Sequence, residues 1–297
     1  MAPGALSPMR DPSASVQIRL RNLPPAAGLL WIRRGFRTFW RRPLGFIGLW
    51  LFFTLCLFAI MVLAVAVSPL VMLAIAALLP LLTVGYMQAA SDVLDDLKLR
   101  PSVFRAPFAS TPQVARSMLV IMLIYVAAVA LLAACADAMD GGETRRWLHV
   151  VMTPPTDGKP PVAPPISEAS VSAIRFMMLG MTLVSIPLWY APALVVWGRQ
   201  GAAQSLFSSV VALWRTKGAF VTFLLGWMVV GVAFDAIVQL LAVAFGIEAV
   251  SLAALTGQMM LSITYFLSMW FGFADTFEIT SPVAFRTVMA DDEPPAA

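Results

Sequence analysis

Histidine occurs once in this 297-residue chain, cysteine twice and tyrosine four times. Each scarcity removes a class of chemistry. A metal site needs several His, Cys or carboxylate ligands at close spacing, and the sole histidine, His149, has neither a cysteine nor a second histidine nearby. Cys56 falls mid-way along one apolar run and Cys135 near the end of another, so a disulfide would have to join unequal depths; both read as thiols packed among apolar groups. Walker, HExxH and GxSxG motifs are absent. Charge is scarce as well: 12% of residues are Asp, Glu, Lys or Arg, against about 25% in a soluble domain. What replaces it is 60% hydrophobic residues and a mean hydropathy of +0.84, the composition of an integral membrane protein.

The chain is organised around residues 28 to 66. A basic amphipathic segment, GLLWIRRGFRTFWRR, feeds at Pro43 into the uncharged run LGFIGLWLFFTLCLFAIMVLAVA. At 100° per residue Arg33, Arg34, Arg37 and Arg41 share one quadrant, while Leu29, Ile32, Phe36, Phe39 and Trp40 cover the opposite side. This predicts a helix lying in a membrane surface, followed by one that crosses it. Apolar runs near the ~20 residues needed to span ~30 Å of hydrocarbon recur. They place six transmembrane helices at about 44–66, 70–90, 114–136, 171–197, 218–245 and 250–273. The fold class is therefore all-α: a polytopic membrane bundle of six spans with cytoplasmic interfacial amphipathic helices.

Outside the spans, residues 1–25 read as a disordered tail and 276–297 as a second tail, leaving 26–275 as the membrane domain. The segment 91–112 carries Asp92, Asp95 and Asp96 on one helical face beside Lys98 and Arg100, a solvated surface rather than a metal site. Residues 137–170 form a long polar connection with a short helix ETRRWLHVV and six prolines between 154 and 165, which favour extended chain. Between Gln204 and Trp214 a second amphipathic segment repeats the first: Trp40-Arg41-Arg42 corresponds to Trp214-Arg215-Thr216 and Phe46 to Phe220. Six spans put both termini on one side. Sixteen of the twenty Lys and Arg fall on that side, so the positive-inside rule predicts cytoplasmic termini and an external 137–170 loop.

Three stretches carry a resemblance: GLLWIRRGFRTFWRRPLGF at 28–46, LLPLLTVGYMQA at 78–89 and WYAPALVVWGRQGAAQSLFSSVVALWRTKGAF at 189–220. Through them the chain resembles a family of uncharacterised six-helix bacterial inner-membrane proteins, a domain of unknown function. That family is similar in outline to the membrane domain attached to some glycerophosphodiester phosphodiesterases. The resemblance implies architecture and a bacterial inner membrane, and its motifs contain no catalytic residues.

Two sets of candidate residues remain. Asp235 interrupts the fifth apolar run with Gln239 one turn beyond it, and an ionisable group at such depth marks a functional or pairing site. The expectation is that Asp235 faces the bundle interior, with Gln239, Gln258 and Arg175 as partners. Arg33, Arg34, Arg37, Arg41 and Arg215 are the expected contacts to anionic lipid headgroups, since these basic residues adjoin apolar spans instead of lining a nucleic-acid-binding face. No cofactor is implied. The first functional reading is a non-enzymatic component that organises lipid, membrane-protein partners or copies of itself. The alternative is a small-molecule or ion transporter using Asp235, and a lipid-modifying enzyme is a third class opposed by the missing His and carboxylate cluster.

Overall fold

The computed structural model describes residues 17–66, 73–152 and 166–280. It is an all-α membrane bundle in which six helices are long and apolar enough to cross a bilayer. Strand β1 (Gln17–Leu20) leads into α1 (Ala27–Arg41), and α1 ends at Arg42, whose φ of −146° breaks the helix. Helix α2 (Pro43–Ala66) starts at once, because Pro43 lacks only an N–H that the first helical turn would leave unpaired. Next, α3 (Leu73–Leu94) passes through Pro80 and stops where Asp96 adopts a left-handed φ of 54°. The helical stretch expected at the start of segment 91–112 is the continuation of the second span, since Ser91, Asp92 and Val93 belong to α3 itself.

A 3-10 turn (Pro101–Arg105) and the single turn α4 (Ala106–Ala109) precede α5 (Pro112–Asp140), which is capped by Thr111 and closed by Gly141 at φ 59°. The short helix expected in the polar connection is α6 (Glu143–Met152); it contains His149, whose side chain lies outside the described residues, as do residues 153–165. The fourth span is broken: α7 (Glu168–Leu188) and α8 (Ala191–Val196) meet at Trp189–Tyr190, between Pro187 and Pro192. Then follow α9 (Ala202–Arg215), α10 (Lys217–Phe245) and α11 (Ile247–Thr276). Strand β2 (Phe277–Thr280) pairs antiparallel with β1, Leu20 opposite Phe277 and Gln17 opposite Thr280. Residues 17–25 and 276–280 are therefore ordered and joined, where the sequence suggested two separate tails; residues 1–16 and 281–297 lie outside the described residues.

The chain forms three units, each with short entry helices followed by two spans. The equivalence of the hinges holds in detail: α1 ends at Arg41 and α9 at Arg215, and the spans begin two residues later at Pro43 and Lys217. Each entry element packs on the spans of a neighbouring unit. Phe104 of the 3-10 turn lies over Gly85 of α3 and 5.6 Å from the Phe53 ring of α2, while α9 packs on α7 and α8. Helix α1 closes the ring by packing on α10 and α11. Gly28 sits against Ala219 and Thr222, Phe36 stacks on Trp227 at 5.9 Å, and Gly35 meets Thr264 and Ser268. Without side chains, Gly28 and Gly35 let helix backbones approach closely. Cys56 and Cys135 are both free and half-buried.

Candidate functional site

Helix α1 leaves only part of the apolar face drawn by the wheel open: Leu29 and Trp40 are exposed, whereas Ile32 and Phe39 are buried. Contact partners advance from Ala219 to Trp227 along α10 as α1 runs from Gly28 to Phe36, so α1 lies lengthwise against the spans. Trp31, Ile32, Gly35 and Phe39 are buried there. The fixing point is Asp275, two residues past the expected end of the sixth span. Its carboxylate accepts the Trp31 indole N–H at 2.7 Å and the Arg34 guanidinium at 3.2 and 3.3 Å. Arg34 also lies 6.0 Å from the Phe271 ring. Arg34 is thus part of an internal ion pair and leaves the set of residues expected at lipid headgroups. A charge-assisted pair between side chains exposed by only 21% and 9% holds α1 at one rotation about its axis.

That rotation determines what α1 shows outside. Arg33, Arg37 and Arg41 are exposed, together with Leu29, Leu30 and Trp40. Helix α9 turns large apolar residues outward, as expected of an interfacial helix and in contrast to α1. Its small polar face of Ser205, Ser209 and Ala212 is buried on α7 and α8, and Phe207, Val210 and Trp214 point outward. Ser209 explains the contrast. Its hydroxyl accepts the Tyr190 N–H at 3.0 Å and donates to the Ile186 carbonyl at 3.3 Å, satisfying backbone groups released by the break between α7 and α8. At the following hinge Arg215 is exposed, and Lys217 lies 5.0 Å from the Trp214 ring. Each hinge therefore presents an exposed tryptophan beside exposed arginine: Trp40 with Arg41, and Trp214 with Arg215.

The expected intramembrane cluster is not assembled. Asp235, Gln239, Gln258 and Arg175 are all exposed, and among the described residues no hydrogen bond or ion pair joins them. Gly257 of α11 accommodates the ring of Phe234, so Phe234 occupies the side of α10 facing α11 and turns Asp235 to the outer surface. The same packing places Gln258 near that level without directing it inward. A transport path past Asp235 loses its geometric basis. Among the described residues no three His, Cys, Asp or Glu come together as a metal site. An open cleft of about 560 Å³ between α5 and α7 is lined by alanines, Ile174, Met177 and Met178, with the Arg145–Asp137 ion pair of 3.0 Å at one end.

No protein-family model matches the chain, and no solved structure matches it. A protein of Burkholderia thailandensis described as a probable inner membrane protein is similar: 28% identical over 222 residues, covering 73% of this chain and 78% of the relative. The likeness to the glycerophosphodiester phosphodiesterase membrane domain finds no support in these comparisons. Composition, the six spanning-length helices and this relative agree that the chain is an integral membrane protein.

Proposed function

We propose that the chain is a non-catalytic component of a bacterial inner membrane, with cytoplasmic termini, that gathers anionic lipid headgroups along its two hinges. The observation that carries this reading is the repeated exposure of tryptophan beside arginine at the α1–α2 and α9–α10 hinges. Trp favours the water–hydrocarbon boundary, and each Arg near an anionic surface contributes on the order of 1 kcal/mol. Arg33, Arg37, Arg41 and Arg215 are the contacts; Arg34 instead fixes the helix that displays three of them.

The test is a lipid titration of the purified full-length protein in detergent, read as the shift in thermal midpoint. Phosphatidylglycerol should raise the midpoint well above the effect of phosphatidylcholine. Replacing Arg33, Arg37 and Arg41 together by Gln should weaken the phosphatidylglycerol response about 100-fold in midpoint concentration, from roughly 1 kcal/mol per arginine. Equal shifts by the two lipids in the wild-type protein would sink the reading.

A further inference from the structure

Helix α10 is the least covered of the six spans, with 0% of its most apolar window buried. Its contacts with α1 and α11 run through Gly226, Trp227 and Phe234. On another side Gly231, Asp235 and Gln239 follow at four-residue spacing and so share a face. Met228 and Val232, 58% and 64% exposed, lie on the same face. A Cβ at Gly231 would meet nothing within 4 Å, which leaves a notch beside the two polar side chains. Asp235 stands about 27 Å along the helix axis from Lys217 and about 15 Å from Phe245, inside the apolar length at either boundary. A carboxyl and a carboxamide there are expensive while they face hydrocarbon, and nothing described in the protomer satisfies them.

We propose that this face of α10 joins two copies of the chain within the membrane, with Gly231 near the helix crossing and Asp235 and Gln239 hydrogen-bonded between copies. The occupant follows from the chemistry of the pair. Two copies inserted with the same orientation carry these residues at the same depth, and a two-fold axis along the membrane normal repeats every contact reciprocally. The Gln239 carboxamide of each copy can donate to the Asp235 carboxyl of the other, so one acceptor and one donor per chain produce two matching bonds. Lipid tails offer neither group, and a cationic partner would meet Asp235 but give Gln239 no reason to share the face. Gly231 lets the helices approach closely enough for such bonds. This surface is separate from the arginine-bearing edge of α1, so either proposal can fail alone.

Oxidative cross-linking of the full-length chain in lipid vesicles tests it, in a background with Cys56 and Cys135 replaced by Ala. Met228→Cys lies on the proposed face, and Val229→Cys, 63% exposed, lies roughly 100° away. Met228→Cys should give a disulfide-linked dimer and Val229→Cys should not. Adding Asp235→Leu and Gln239→Leu to Met228→Cys should lower the cross-linked fraction about tenfold at limiting protein-to-lipid ratio, the equivalent of about 1.4 kcal/mol. Gly231→Ile, which fills the notch, should do the same. The thermal midpoint of the double-Leu protein should hold, because both side chains are exposed and no described hydrogen bond or ion pair ties either to its own protomer, and this separates lost association from lost folding. Absence of a dimer, equal cross-linking at 228 and 229, or cross-linking unchanged by the leucines would each overturn the proposal.

Discussion

Asp275 has more consequence for the arrangement of this protein than any acid the sequence drew attention to. It holds Trp31 and Arg34 across separations of 244 and 241 residues and so sets the rotation of α1. Asp275→Asn keeps the volume but removes the charge facing Arg34 and replaces one acceptor oxygen by a donor. Loss of a partly buried charged partner should cost roughly 2–3 kcal/mol, read as a lowered thermal midpoint in detergent, and Arg34→Gln should repeat most of it. If Asp275→Asn melts with the wild type, the pair does not fix α1. The residue was illegible because hydropathy ended the last span before it, and nothing local in the sequence pairs it with Trp31 and Arg34. Asp235 failed for the opposite reason. Its depth was legible and its direction was not, since direction depended on Gly257 admitting the ring of Phe234.

Among the elements, hydropathy anticipated six helices long and apolar enough to cross a bilayer, because hydrocarbon thickness sets length directly. Facing was harder. Helix α1 follows the soluble rule along part of its apolar stripe and buries Trp31, Ile32 and Phe39 in protein. Helix α9 inverts it, burying serines and alanine because an interrupted span nearby has backbone groups to satisfy. A wheel cannot distinguish these cases when the outer medium is lipid on one side and water on the other. Ser209 carries the difference. Ser209→Ala removes the hydroxyl that serves Tyr190 and Ile186, with little change in volume. It should destabilise by about 1–3 kcal/mol, the cost of an unpaired buried amide, and speed hydrogen exchange at Tyr190. Unchanged exchange there would show that the break is satisfied in another way.

At the scale of the whole molecule, six spans and the bias of Lys and Arg predict one orientation. An alkaline phosphatase fusion after Pro155 and a fluorescent fusion at the C-terminus should both be active, and each should be silent when the reporters are exchanged. The same reporter active at both points would refute six spans in this orientation. The ring of three units was partly legible, through the matching Trp-Arg hinges. Its closure by α1 on α10 and α11, and the pairing of β1 with β2, were not, because neither leaves a local pattern in the chain.

That closure dictates an order of events during synthesis. A ribosome delivers α1 long before α10 and α11, so the surfaces around Gly28, Trp31 and Gly35 wait uncovered while four intervening spans enter the membrane. A nascent chain stalled before Ile247 lacks Asp275 and the α11 side of the wall against which Trp31 packs, around Gly272. It therefore displays an apolar helix face of the kind that chaperones and membrane proteases act on. Translation of the final helix and concealment of the first one coincide, so an incomplete polypeptide is marked for removal by its own beginning.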